Sequence, residues 1–179
     1  MSATASASPK AVSAAFEPML AELRQEAVIT RRILERVPEA KLTWRPHEKS
    51  MTLGQLALHI AAVPGRFPEA LKQNVFESPG FIAPQPESKQ EILDAFEESV
   101  TQAQKYVAGL TPEVATSAWT LQVNGKPVLS APRVSMLRMV MMNHIYHHRG
   151  QLSVYLRLLN VSVPVIYGAS ADENPFASA

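Results

Sequence analysis

From about Ser13 to Val37 the apolar residues recur at three- and four-residue steps: Phe16, Leu20, Leu23, Ala27, Ile33, Leu34 and Val37. Alanine, glutamate and arginine fill the positions between them, which predicts one long amphipathic helix. Pro18 falls early, where a first turn tolerates it, and Pro38 ends the run. Residues 38–51 read as a connector, held extended at Trp44-Arg45-Pro46 by the proline. Thr52-Leu53-Gly54-Gln55 matches a capping box, so a second helix is predicted through Ile60 and Val63. Pro64 and Pro68 predict a kinked or irregular second half. A Pro/Gly loop over 77–87 leads to a second capping box, Ser88-Lys89-Gln90-Glu91. The third helix then runs to about Leu110 with Ile92, Phe96, Val100 and Val107 inward, and Thr111-Pro112 stops it.

Between 113 and 130 the helical period lapses. Trp119-Thr120-Leu121-Gln122-Val123 precedes Asn124-Gly125, a turn pair that predicts a short β-hairpin or extended loop. Pro132 suits the first position of a fourth helix reaching about Asn160. Pro164, Gly168 and Pro175 keep 161–179 out of helix, while Val163, Val165, Ile166 and Tyr167 are candidates to pack on the other helices. Four helices on short connections predict an all-α fold, a four-helix bundle with a hairpin or loop between helices 3 and 4. The bundle is expected over 13–170, after a disordered Ser/Ala-rich leader over 1–12 and before a tail over 171–179. No internal repeat or second domain is visible.

Composition narrows the chemistry. At 179 residues and 46% hydrophobic content the chain supports one globular core. A formal charge of +1 argues against a dedicated nucleic-acid binder. Cysteine is absent, which removes disulfides, zinc–thiolate sites, iron–sulfur clusters and thiol nucleophiles. Any metal site must therefore use histidine, carboxylate or other oxygen ligands. No window of eighteen apolar residues predicts a membrane span, and the N-terminus lacks the basic and apolar regions of a secretory signal. A cytoplasmic protein is the expectation. No phosphate-cradling glycine loop, nucleophile-elbow serine or Glu-x-x-His pair occurs.

The fourth predicted helix carries the informative residues. At about 100° per residue, His144 and His148 fall at the centre of an apolar stripe with Leu137, Met141, Leu152 and Tyr155. His147 falls at its margin, and Arg138, Tyr146, Arg149, Ser153, Arg157 and Asn160 fall on the polar side. Arg149 accordingly receives no catalytic role. Two histidines four residues apart project side by side and can meet one ion. His59, on the second helix, can supply a third ligand if the two helices are neighbours. An open three-histidine site would act as a Lewis acid or lower the pKa of a bound water or thiol. Hydrogen-bonded core histidines are the plainer reading of the same pattern. Gln151 and Tyr155, one and two turns past His148, are candidates to hydrogen-bond a metal-bound group, although ordinary core roles fit them too. Trp44, Trp119 and Tyr167 are candidates for a pocket mouth, with plain packing equally consistent. His47 is expected to be exposed, and His147 to support the site or a contact surface. The methionines Met136, Met139, Met141 and Met142 read as core or subunit contact. The apolar arc of about 200° is wider than one bundle seam needs, which suggests a homodimer.

Three stretches carry a family resemblance: Asn143-His144-Ile145-Tyr146-His147-His148-Arg149-Gly150-Gln151-Leu152, the segment from Trp44-Arg45-Pro46 through Thr52-Leu53-Gly54-Gln55 to His59-Ile60, and Val163-Pro164-Val165-Ile166-Tyr167-Gly168. Together they resemble the DinB-like (DinB/YfiT) metal-binding four-helix-bundle superfamily over roughly 13–170. The resemblance implies a divalent cation, nickel or zinc foremost and manganese or iron as alternatives, held by His59, His144 and His148. It also implies a metal-dependent enzyme, a thiol-dependent transferase or a hydrolase, acting on a small molecule with a low-molecular-weight thiol as partner. The alternative is a non-catalytic dimeric sensor of a metal or small ligand.

Overall fold

The computed structural model describes residues 14–80 and 83–177, so the expected leader over 1–12 lies outside the described residues. Helix α1 spans Glu17–Glu35, with Pro18 in its first turn and Leu20, Leu23, Ile33 and Leu34 buried. A 3-10 turn, Glu39–Lys41, follows. Helix α2 spans Leu53–Ala70 and opens on the expected capping box. Thr52 Oγ1 accepts from the Gln55 N–H at 3.1 Å, and Gln55 Oε1 accepts from the Thr52 N–H at 2.9 Å. Helix α2 continues through Pro64 and Pro68, the half for which the sequence predicts a kink or irregularity. Ser99 of the third helix stitches the backbone on either side of Pro64. Its hydroxyl donates to the Ala62 carbonyl at 3.1 Å and accepts from the Gly65 N–H at 2.5 Å.

Helix α3 spans Lys89–Ala108 with Ile92, Phe96, Ser99, Ala103 and Val107 inward. Ser88 caps the Glu91 N–H, while Glu91 reaches back to the Glu87 N–H rather than to Ser88, so the second box is half formed. A short helix α4, Pro112–Thr116, precedes the hairpin of β2, Ala118–Val123, and β3, Lys126–Pro132. Asn124 and Gly125 turn it with φ of 52° and 70°, the two positive angles that a two-residue turn needs. A third strand, β1, Val75–Glu77, pairs in parallel with Thr120–Gln122. The sequence pattern does not predict this strand, and its last residue, Glu77, opens the stretch expected to be a loop.

The last helical run begins at Arg133, with Pro132 just before it at the end of β3 rather than in the first helical position, and comes in three pieces. Helix α5 is Arg133–Met136, a π-helical segment covers Leu137–Met142, and helix α6 spans Asn143–Leu158. Helices α1, α3, α2 and α6 close a ring of neighbours around one core: a four-helix bundle with a small three-stranded sheet at its side. Beyond α6 the chain is not helical, and two acidic residues anchor it. Asp172 pairs with Arg157, and Glu173 with Arg32 and Arg36. Among the described residues no helix is long and apolar enough to cross a membrane.

Candidate metal centre

The capping box fixes where α2 begins, and His59 stands on its second turn. Gln55, one turn earlier, donates through Nε2 to the Ala83 carbonyl and so ties the start of α2 to the following loop. The other two histidines stand on adjacent turns of α6. The structure brings all three together: one ring nitrogen from each of His59, His144 and His148 lies within 4.8 Å of the others. His59 Nε2 and His144 Nε2 are 2.8 Å apart, and the ring centroids are separated by 4.3 to 5.1 Å. His147 and His47 stay exposed and outside the cluster.

The three side chains are half-buried. Burial, followed by the charges of His148 and His144 and of Arg66, holds His59 down at about 4. Burial and the neighbouring histidines hold His144 down at about 4 too. Burial also lowers His148, against the opposing bond from Gln151. The rings are therefore neutral near pH 7, which is the ligating form. Gln151 Oε1 lies 2.7 Å from His148 Nδ1. A carbonyl oxygen only accepts, so Nδ1 carries the proton and Nε2 keeps its lone pair. Nitrogens held about 2.0–2.1 Å from a tetrahedral ion stand about 3.3 Å from one another. The 2.8 Å between His59 and His144 and the 4.8 Å limit on the whole set are compatible with that value, and three imidazoles without thiolate or carboxylate suit borderline ions such as zinc or nickel. The residues present fit a divalent cation.

The π segment changes the expected orientation of α6. An i→i+5 ladder turns less per residue than the 3.6-residue α-helix, so every position after Met142 is rotated from the ideal wheel. The buried line of α6 is Ile145, Arg149, Leu152 and Leu156, and the two histidines lie on its flank rather than at its centre. Arg149 is the largest correction. Placed on the polar side by the wheel, its side chain is 1% exposed and bonds Glu26 Oε2 of α1 at 2.6 Å and Thr30 Oγ1 at 3.0 Å. The Tyr167 hydroxyl accepts from Arg149 and donates to Glu26 at 3.0 Å. Tyr146, also assigned to the polar side, donates to Glu22 at 2.7 Å. An arginine within an apolar helix was the signal available, but its acidic partner is remote in sequence. The superposition of two helical phases also widens the apolar arc that had suggested a dimer.

The aromatic residues sort differently from one another. Trp119 is buried in the core, donates through Nε1 to the Ala70 carbonyl at 3.1 Å and packs on Phe67 and Phe76, so it lines no mouth. Trp44 meets the Tyr155 ring edge-on at 5.7 Å, and the Tyr155 hydroxyl donates to the Met51 carbonyl at 3.3 Å. Tyr155 thus ties α6 to the connector before α2. Beside the histidines lies a cleft of about 240 Å³ between α2, β1 and the π segment. His59 and His144 form one part of its wall, and Val63, Phe67, Phe76 and Val140 make much of the remainder apolar. The cleft needs β1 and the π segment, neither of which the sequence pattern predicts.

The sequence model of the DinB family matches residues 4–174. The chain belongs to the DinB family. A DinB-like protein from Bacillus cereus ATCC 10987, known from its crystal structure, superposes with a TM-score of 0.66 at 25% identity, over 84% of this chain and 97% of that one. The DinB-like protein YjoA of Bacillus subtilis shares the fold, with a TM-score of 0.63 at 18% identity over the same shares. The uncharacterized protein YrdA of Bacillus subtilis (strain 168) is 28% identical over 150 residues, 83% of this chain and 85% of its own length. In this DinB chain, as the resemblance implied, one histidine of α2 and a His-x3-His pair of α6 converge.

Proposed function

We propose that this DinB protein is a divalent-metal-dependent enzyme of the thiol-dependent transferase or hydrolase type, with His59, His144 and His148 as its metal ligands. The observation that carries the reading is the placement of three neutral imidazoles beside an apolar-walled cleft. A catalytic ion needs a position that protein does not fill, and three protein ligands leave one. A divalent ion there supplies a Lewis acid and brings the pKa of a water or thiol that meets it toward neutrality.

The chain's own residues do the rest. Gln151 holds the His148 ring and its tautomer, and Val63, Phe67, Phe76 and Val140 give the cleft an apolar wall. The chain has no cysteine, so a reacting thiol comes from a small cosubstrate. Nickel or zinc is the favoured ion, with manganese or iron as alternatives. A dimeric, non-catalytic sensor is the second reading, and Val154 and Leu158 favour it. They lie one turn apart on α6 and are 56% and 57% exposed. Light scattering that gives the mass of a single chain removes that reading.

The test of catalysis is thiol consumption. Metal-loaded protein is incubated with a panel of low-molecular-weight thiols and alkyl or acyl electrophiles. Consumption that chelation and His148→Ala abolish is the expected result. Metal-loaded protein that turns over neither thiols nor ester substrates would overturn the catalytic reading.

A further inference from the structure

Arg66 lines the cleft beside the histidines, seven residues after His59 and therefore on the same face of α2, about 10 Å further along its axis. It is exposed, and among the described residues it is the one arginine that makes no hydrogen bond or ion pair. Each of the others meets a carboxylate or a carbonyl. Arg24, Arg31, Arg32, Arg36, Arg138, Arg149 and Arg157 face acids. Arg45 bonds the Glu48 carbonyl, and Arg133 bonds the carbonyls of Leu71 and Gln73. Arg66, His59 and His144 line one cleft. Val63, Phe67, Phe76 and Val140 line the same cleft.

We propose that Arg66 selects the substrate by its carboxylate, and that the substrate class is an organic acid with an apolar body. The body lies along Val63, Phe67, Phe76 and Val140, the carboxylate meets Arg66, and the reacting end points to the histidines. A guanidinium presents two parallel N–H groups that match a carboxylate. No lysine or second arginine lines the cleft among the described residues, and one guanidinium matches the single charge of a carboxylate. The inference rests on the reading of the cleft as a substrate site and adds to it the substrate's charge and polarity.

The test is calorimetric binding to the full chain, metal-loaded and metal-stripped, with phenylacetate, hydrocinnamate and hexanoate, each beside its neutral amide. Wild-type protein is expected to bind at least one acid roughly tenfold to a hundredfold tighter than its amide. In Arg66→Gln the preference disappears while amide binding and metal content stay unchanged. Arg66→Lys, which keeps the charge and loses the fork, retains part of it. Acids and amides that bind alike, no binding of any acid, or an acid preference that survives in Arg66→Gln would overturn the proposal. Metal content measured on the same samples separates the two readings. An Arg66-dependent preference in a protein that takes up no metal leaves this inference standing and removes the metal centre.

Discussion

Arg149→Met tests the buried pair that locks α6 against α1. The arginine side chain is 1% exposed and Glu26 is 11% exposed at its side chain, so neither charge has water as a ready alternative. The guanidinium also lies 5.4 Å from the Tyr146 ring centroid and 5.0 Å from that of Tyr167. Removing one partner of such a pair strands the other, at a cost of about 3–5 kcal/mol. In a domain of this size that is roughly 6–20 °C in Tm. The double variant Arg149→Met/Glu26→Leu removes the stranded charge as well and should recover part of the loss. Circular dichroism melts and urea titrations of the wild type, both single variants and the double variant give the cycle. A single variant within about 1 kcal/mol of wild type, or a double variant as unstable as the two losses summed, would refute the reasoning.

Four further outcomes follow from particular positions. His59 and His144 titrate at about 4 in the folded chain against 6.5 ordinarily, so between those values the unfolded chain holds more protons. Metal-free protein should therefore lose stability as pH falls from about 6.5 toward 4, more than His59→Ala/His144→Ala loses over the same window; equal losses in thermal melts would contradict the assignment. Gln151→Ala frees the His148 ring and should weaken metal binding about 10- to 100-fold in a chelator competition, whereas unchanged affinity would show that the bond orients nothing. At Gly65 a Cβ would stand 2.8 Å from the Ser99 Cα, so Gly65→Ala should cost about 1–3 kcal/mol despite its better helix propensity. At Gly150 a Cβ would meet nothing within 4 Å, and Gly150→Ala should stabilise by up to about 1 kcal/mol in the same urea titrations.

What could be read from the chain alone was local. Thr52 and Gln55 sit three residues apart and close their box without help from elsewhere, and Asn124-Gly125 carries its turn in two residues. The histidine set was legible because the His-x3-His spacing and the apolar surroundings of His59 each pointed inward. The features that were not legible depend on distant partners. Strand β1 is three residues long, and its pairing with Thr120–Gln122 spans more than forty residues of chain. The backbone around Pro64 stays helical beside a hydroxyl from α3. Arg149 reads as a surface residue until the π segment rotates it toward Glu26. The cleft needs α2, β1 and the π segment at once, so Arg66 had no visible role before the fold was known.

Metal content is the most direct test of the three-histidine centre. Tag-free protein, reconstituted in turn with nickel, zinc, manganese and iron and then desalted, is measured by plasma mass spectrometry beside His144→Ala. One divalent ion per chain in the wild type is predicted for at least one metal, with its loss in the variant while the helical circular dichroism signal stays unchanged. Full occupancy in His144→Ala, or no ion retained by the wild type with any of the four metals, would contradict it.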